Sequence, residues 1–139
     1  MKILIDTNVI LDIVLERQPF VEDAEKLLDM AQQANFELFL TATTITDLYY
    51  IARKAKGKEI ALNFIMDLMK FMEIASVDKD VVMQALQSDL ADFEDAIQEN
   101  SAKKENINII VTRNEQDFKD SDLEIYTPKS FLSNKLQTN

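Results

Sequence analysis

The chain has 139 residues, of which 47% are hydrophobic, and its 15 Lys and Arg residues against 25 Asp and Glu residues give a formal net charge of −10. This length and composition predict a single soluble domain, spanning residues 1–139, with one hydrophobic core. Because the chain has no Cys and no His, disulfides, thiolate zinc sites, imidazole ligands and Ser-His-Asp catalysis are excluded, leaving carboxylates, hydroxyls, Lys, Arg and hard cations as catalytic tools.

Apolar residues alternate along the chain between short continuous runs and helical spacing. The short runs predict strands at 2–5, 36–40, 73–75, 107–111 and 123–126. Helical spacing predicts helices at 20–34, 41–54, 60–71, 78–87 and 92–104, the last two capped by Asp78 and Asp92, and Thr127-Pro128 predicts a short C-terminal helix. Alternating strands and helices without a hairpin signal predict a three-layer α/β/α fold with a mainly parallel, five-stranded sheet.

The N-terminal apolar stretch does not have the pattern of a signal peptide. It is interrupted by Asp6 and Asp12 and has no small-residue cleavage site. No apolar run approaches the roughly 20 residues that a membrane span needs. We therefore expect a cytoplasmic protein with no membrane partner, whose acidic surface disfavours loose, charge-driven binding to membranes or nucleic acids.

Three acids are functional candidates because of where the predicted elements place them. Ligands of open parallel sheets bind outside the carboxyl ends of the strands, and Asp6 and Asp117 follow the first and fourth predicted strands. Asp47 is the only charge in TATTITDLYYIA, where the apolar residues predict a largely buried helix, and a lone buried carboxylate needs a partner or a metal. Structural explanations remain open: a helix cap for Asp6, an acid favoured by the helix dipole for Asp47, and a turn former for Asp117.

A fourth candidate, Asp95, lies with Asp92 and Glu99 on one face of a predicted helix. The core face of that helix is predicted to consist of Phe93, Ala96 and Ile97. Taken alone, such an acidic stripe is typical of a solvated helix face.

Together, the four acids can converge on one crevice of a parallel sheet. Four carboxylates held within a few ångströms raise one another's pKa values, so the arrangement is favourable chiefly when a divalent cation is present. Oxygen-only ligands favour Mg²⁺ or Mn²⁺ over Zn²⁺. Phosphodiester hydrolysis is the chemistry that suits such a site.

The chain resembles the PIN domain family over nearly its whole length, through the blocks IDTNVILDI, TTITDLYYIARK, DFEDAIQ, IIVTRNEQDF and TPKSFL in this order. The resemblance implies a metal-dependent endoribonuclease of the VapC toxin type that binds one or two Mg²⁺ or Mn²⁺ ions. Its metal-binding and catalytic acids would be Asp6, Asp47, Asp95 and Asp117. The family commonly has Glu at the second of these positions, so Asp47 is shorter by one methylene.

The resemblance also implies supporting residues around these acids. Asn8 and Thr112 match positions that hydrogen-bond the carboxylates or the attacking water, with helix capping as the alternative. Asp92, one helical turn before Asp95, is a candidate for a second metal. Asn114 lies where some relatives carry an acid, and its alternative role is that of a turn residue.

The candidate RNA contacts are five basic residues: Arg53, Lys54, Lys56 and Lys58 in the RKAKGK segment, and Arg113 beside the predicted pocket. A solvated, dipole-complementing helix end is the alternative for RKAKGK. The net charge of −10 makes strong non-specific RNA binding improbable, so we expect a structured or limited RNA substrate, or RNA presented on a partner.

Several alternatives remain open on the sequence. A haloacid-dehalogenase-type phosphatase needs a second Asp where this chain has Asn8, and a response-regulator receiver needs adjacent acids after strand one and a late Lys where this chain has Thr112. A catalytically weak or inactive PIN-like module that binds RNA or protein is a third. The toxin branch further implies a cognate antitoxin, and pairing of PIN domains implies a homodimer in which exposed residues such as Tyr49 or Tyr50 would take part.

Overall fold

The computed structural model describes residues 1–137, which form five strands, seven α-helices and one short 3₁₀ helix. The strands are β1 (Lys2–Ile5), β2 (Glu37–Thr41), β3 (Met72–Ala75), β4 (Ile109–Val111) and β5 (Glu124–Tyr126). The helices are α1 (Thr7–Val14), α2 (Val21–Gln33), α3 (Ala42–Lys56), α4 (Lys58–Leu68), α5 (Lys79–Leu86), α6 (Phe93–Lys104) and α7 (Pro128–Gln137), and the 3₁₀ helix spans Glu115–Phe118. None of the helices in this part of the chain has the length and apolar character needed to cross a membrane.

The five strands form one parallel sheet in the order β3-β2-β1-β4-β5. This confirms the predicted α/β class and the five-stranded sheet. From β1 the chain first adds β2 and β3 on one side and then β4 and β5 on the other. The strand order therefore reverses between β1 and β4, and a crevice opens at the carboxyl ends of these two strands. In the register of these strands Ile5 lies opposite Val111, and therefore the residues that follow, Asp6 and Thr112, meet at that crevice.

Helices cover both faces of the sheet. On one face Ile3 and Ile5 pack in a cluster with apolar residues of α1, α2, α3, α4 and α7, while Leu4 and Ile110 point to the opposite face and join Ala102 of α6. This alternation is the period-2 pattern of a strand buried on both faces. Each fully buried Ile or Leu side chain contributes about 1.5–3 kcal/mol by removing apolar surface from water.

The predicted helix caps are present. Asp78 accepts a hydrogen bond from the backbone N–H of Val81 at 3.0 Å, and Asp92 accepts one from the N–H of Asp95 at 3.0 Å. At the C-terminal helix Thr127 and Ser130 exchange side chain-to-backbone hydrogen bonds of 2.9 and 3.0 Å. These bonds satisfy N–H groups that the first turn of a helix leaves without partners.

Two predictions about helix burial were wrong. The helix that carries Asp47, α3, is not largely buried: Tyr50 is 62% exposed and Ile51 40% exposed, because the helix packs through only one stripe, Thr44, Leu48 and Ala52. In α6 the predicted core residue Phe93 is 52% exposed, since it lies at the first position of the helix.

Candidate active site

All four predicted acids line one cavity of about 420 Å³ at the crevice. Two further acids line it, Asp92 and Glu94, together with the amides of Asn8 and Asn114. Among the described residues that line this cavity there is no Lys and no Arg. The cavity therefore concentrates negative charge that its own walls do not neutralise.

Asp6 is held by hydrogen bonds from three elements. It caps α1, and its Oδ1 atom accepts from the backbone N–H of Thr7 at 2.7 Å and from Nε2 of Gln98 at 2.8 Å. Its Oδ2 atom accepts from the hydroxyl of Thr112 at 2.7 Å. Because the carboxylate is buried and held at both oxygens, its orientation is fixed before any ligand arrives.

Thr112 and Asn8 organise the loop that follows β4. The Thr112 hydroxyl oxygen also accepts from the backbone N–H of Asn114 at 3.1 Å, and Oδ1 of Asn8 accepts from the N–H of Arg113 at 3.3 Å. Asp6, rather than Asn8, caps α1. Thr112 thus ties the loop to Asp6 at the end of β1, and Asn8 ties it to the first turn of α1.

A buried chain of hydroxyl groups joins α1 to α3. Thr44 contacts the hydroxyl of Thr7 at 2.9 Å and that of Thr41 at 3.0 Å. Asp47 lies one helical turn beyond Thr44 on α3 and lines the cavity. Asp47 itself is half-buried.

Asp95 is 9% exposed and Glu99 is 5% exposed, whereas Asp92 is exposed, so only the first acid of the predicted stripe is solvated. Burial, followed by the charges of Asp6, Asp92, Asp117 and Glu94, raises the pKa of Asp95 to about 7. A carboxyl group in this state is half protonated near neutral pH. The nearby Asp117 follows β4 on the 3₁₀ helix and is exposed at the rim of the cavity.

Glu94 is a cavity residue that the sequence reasoning missed. Burial raises the pKa of Glu94. The Asp47 carboxylate, which lies within hydrogen-bonding reach of Glu94, and the charge of Asp6 raise that pKa further. Its Oε1 atom also accepts from the Thr7 hydroxyl at 3.4 Å. The sequence places Glu94 beside Asp95 in the first turn of α6, which is the one signal that could have indicated it. Adjacent helical residues point about 100° apart, however, so only the tertiary fold brings Glu94 and Asp95 to one cavity.

Gln98 was missed as well. Its amide is fully buried one turn beyond Asp95, and it donates to Asp6 as described above. Its Oε1 atom has no hydrogen-bond partner among the described residues. A polar residue on the predicted acidic face of α6 thus orients a carboxylate of the site.

A PIN domain family model matches residues 2–116. The chain belongs to the PIN domain family. The PIN domain is 30% identical over 135 residues to ribonuclease VapC1 of Aquifex aeolicus (strain VF5), covering 94% of this chain and 92% of that protein.

Among solved structures the PIN domain is similar to VapBC2 from Rickettsia felis bound to a promoter DNA fragment, with a TM-score of 0.71, 17% identity and coverage of 91% of this chain and 98% of that chain. A toxin-antitoxin complex from Klebsiella pneumoniae has a TM-score of 0.69, 21% identity and coverage of 90% and 96%. At these identities the two likenesses show the fold. The family predicted from the sequence is confirmed.

The chemistry of the PIN domain cavity fits a hard divalent cation. All of its acidic and amide side chains offer oxygen atoms, the ligands that Mg²⁺ and Mn²⁺ prefer. Burial, followed by repulsion from the neighbouring acids, raises the pKa values of Asp95 and Glu94, and positive charge in the cavity would favour their ionised forms. In residues 1–137, however, no group of three or more acidic side chains is already arranged to hold an ion, so binding would require side-chain adjustment.

The basic residues of the PIN domain lie outside this cavity. The RKAKGK residues Arg53, Lys54, Lys56 and Lys58 are exposed around the end of α3. Arg53 lies over the Tyr49 ring at 5.9 Å from its centroid, and Nζ of Lys56 is 3.4 Å from Oε2 of Glu16. The guanidinium of Arg113 contacts Asp12 and Phe20, neither of which lines this cavity.

Proposed function

We propose that this PIN domain is an endoribonuclease that hydrolyses RNA phosphodiester bonds with one or two Mg²⁺ or Mn²⁺ ions held by Asp6, Asp47, Asp95 and Asp117. The observation that carries the proposal is the cavity at the carboxyl edge of β1 and β4, which six acids line without a Lys or Arg among its described lining residues. The relative VapC1, a ribonuclease by name, supports RNA as the substrate.

The cation, when bound, would neutralise phosphate charge and activate water for attack. The chain's own residues prepare that chemistry. Asp6 presents a carboxylate of fixed orientation because three donors hold it. Asp95, with a pKa of about 7, would hold a cation in its ionised form, which nearby positive charge would favour.

The carboxylate of Glu94 lies where it can compensate for the shorter side chain at position 47. Asp47 is one methylene shorter than the Glu common in the family, and the Glu94 carboxylate lies within hydrogen-bonding reach of it. We infer that the two share the role of one family acid, with Asp92 and Asn114 at the cavity wall as further oxygen donors.

We also propose that the protein is the toxin of a toxin-antitoxin pair. The support is its similarity to VapC1 and to the Klebsiella pneumoniae toxin-antitoxin complex. An antitoxin that placed Arg or Lys in the cavity would compensate the acids as a cation does. We further infer that Arg53, Lys54, Lys56, Lys58 and Arg113 contact RNA and that the exposed side of α3, including Tyr50, serves a homodimer.

The second candidate function is a PIN-like module that binds RNA or protein without cleaving. It is favoured by the finding that no group of three acids within residues 1–137 is already arranged around an ion site. The two candidates differ in whether metal binding is accompanied by RNA cleavage.

Thermal unfolding with and without Mn²⁺, combined with an RNA cleavage assay, tests the proposal. Mn²⁺ at 100 times its Kd should stabilise the protein by about 2.7 kcal/mol, and the protein should then cleave RNA. The variants Asp6→Asn and Asp117→Asn should lose both effects. Asp29→Asn, an exposed acid on α2, is the matched control and should keep both.

The outcomes separate the candidates. Stabilisation by Mn²⁺ that depends on Asp6 but brings no cleavage of any RNA would favour the binding module. Neither stabilisation nor cleavage at millimolar Mn²⁺ would contradict the metal site and the nuclease together.

A further inference from the structure

A second cavity, of about 390 Å³, adjoins the acidic one. Its lining residues are Asp12, Pro19, Phe20, Asp23, Arg113, Thr127, Pro128 and Lys129. Residues that line the two cavities are in direct contact. The backbone N–H of Arg113, which lines the second cavity, donates to Asn8 of the acidic cavity, and Asn114, which follows Arg113 in sequence, also lines the acidic cavity. The second cavity is therefore a neighbour of the acidic one.

The centre of this cavity is a cation stacked on an aromatic ring. The guanidinium carbon of Arg113 lies 4.2 Å from the centroid of the Phe20 ring, close enough for a cation–π interaction. Phe20 itself is 39% exposed although it is a large apolar residue. The exposed ring belongs to none of the hydrophobic clusters of the described chain, and it contacts the Arg113 guanidinium.

A buried carboxylate fixes the position of the Arg113 guanidinium. Oδ1 of Asp12, a residue only 2% exposed, lies 3.0 Å from the NH1 atom of Arg113 and 3.6 Å from that of Arg17. Because the guanidinium groups of Arg113 and Arg17 share the single carboxylate of Asp12, one positive charge at this position is not compensated. The lining also includes an exposed cation, Lys129, and a second acid, Asp23.

We propose that this cavity is a subsite for a nucleobase of the RNA strand, the base of a nucleotide that flanks the phosphate in the acidic cavity. The inference rests on the proposed function of that acidic cavity. An aromatic ring and a planar guanidinium are the surfaces on which single-stranded bases stack, and the volume lies within the range of ligand pockets, roughly 300–1,000 Å³.

The charge distribution supports the same occupant. The chain carries a net charge of −10 and the neighbouring cavity is lined with acids, so a phosphate strand is repelled over much of this surface. Arg113 and Lys129 of the lining, with Arg17 paired to the buried Asp12, exceed the lining acids Asp12 and Asp23 by one charge, and they place this positive charge next to the acidic cavity, where a flanking phosphate needs it. An apolar peptide side chain would gain the Phe20 contact but no benefit from these cations.

Fluorescence of 2-aminopurine tests the subsite without relying on cleavage. A short single-stranded RNA carries the label at one position at a time and is mixed with the full chain in Mn²⁺. Stacking on Phe20 and Arg113 should quench the label at one position next to the cleaved phosphate. The variant Phe20→Leu, which keeps an apolar side chain but removes the ring, should abolish that quenching and weaken RNA binding about tenfold.

Two further variants keep the result interpretable. Phe20→Tyr retains the ring and should restore quenching and affinity. Leu86→Ala changes an exposed apolar residue of α5, 64% exposed and outside both cavities, and should behave like the unchanged protein. A thermal melt of each variant verifies folding.

Each outcome decides the subsite separately from the nuclease proposal. If RNA is cleaved but no label position is quenched, the base subsite is overturned and the nuclease proposal is retained. The same holds if RNA is cleaved and the quenching is unchanged in Phe20→Leu. Quenching that depends on Phe20 without cleavage would support the subsite as an RNA-binding feature and count against the nuclease. Absence of both quenching and cleavage would overturn both the base subsite and the nuclease proposal.

Discussion

Asp95 is the residue whose surroundings oppose ionisation most clearly. Burial and four neighbouring acids raise its pKa from 3.8 to about 7. Between those two pH values the folded protein holds a proton that the unfolded chain has released. The stabilising contribution of this proton is complete below about pH 4 and is lost as pH rises through 7.

We therefore expect the metal-free protein to lose thermal stability between pH 4 and pH 8, and Asp95→Asn to reduce that loss. At pH 8 the variant should melt several degrees higher than the unchanged protein, roughly 2–4 °C for each kcal/mol of relieved repulsion. At pH 4, where Asp95 is already neutral, the two should melt within about a degree of each other. Differential scanning calorimetry at both pH values measures this.

A second buried acid qualifies the size of the effect. Burial also raises the pKa of Asp12, which Arg113 and Arg17 lower in part, so some pH dependence should persist in Asp95→Asn. The exposed Asp29→Asn should leave the slope unchanged. Equal melting temperatures of the Asp95→Asn variant and the unchanged protein at pH 8 would contradict the electrostatic description of the cavity.

At the scale of single residues, the sequence predicted those cavity residues whose position directly after a strand is informative by itself. Asp6 follows a buried strand and Asp117 follows another, so the general rule for parallel sheets placed them at one edge. Glu94 and Gln98 have no such signal, because their contact with Asp47 and Asp6 depends on how α6 is rotated against the sheet. That rotation is set by packing and is not encoded in local spacing.

At the scale of elements, the hydroxyl chain Thr7–Thr44–Thr41 connects α1, α3 and the end of β2. Thr44 is fully buried at its centre. Thr44→Val preserves shape but removes the hydroxyl, leaving two buried hydroxyl groups with fewer partners. We expect a loss of about 1–3 kcal/mol in the free energy of unfolding, the usual penalty for such groups.

Urea denaturation measures this loss through a lower midpoint with an unchanged slope. Thr46→Val, which makes the same change at an exposed position of α3, should stay within about 0.5 kcal/mol of the unchanged protein. If both variants lost the same stability, helix propensity of Val rather than the buried hydroxyls would be the cause.

The elements themselves were predicted well because their signals are local. Apolar runs gave the five strands, and Asp78 and Asp92 gave two helix starts that the hydrogen bonds match. Burial of α3 was overestimated because Tyr50 and Ile51 are apolar, yet one-face packing leaves them in water. Apolar residues on a helix do not show by themselves which of them find a partner.

At the scale of the whole molecule, the charge of −10 separates into a crowded cavity and an acidic surface, with cations gathered in a few places. The strand order could not be predicted from the sequence, since pairings such as Ile3 with Ile109 join segments far apart in the chain. That order is nevertheless what places Asp6 beside Thr112 and opens the crevice.

The exposed RKAKGK segment gives the last prediction. If Lys54, which is exposed on α3, touches an RNA phosphate, Lys54→Gln should weaken RNA binding several-fold at low salt. It should also reduce the slope of log K against log salt by about 0.7, the value for one contact to a single strand. Fluorescence anisotropy with a short RNA at several salt concentrations measures both quantities.

Lys26→Gln provides the control, since it removes the same charge from an exposed position of α2. Removing either Lys makes the protein more acidic by one charge, so a long-range effect of net charge would weaken RNA binding equally in both variants. A local phosphate contact would change the salt slope only in Lys54→Gln. Identical slopes in the two variants would therefore assign RKAKGK to a solvated helix end, where its cations complement the dipole of α3.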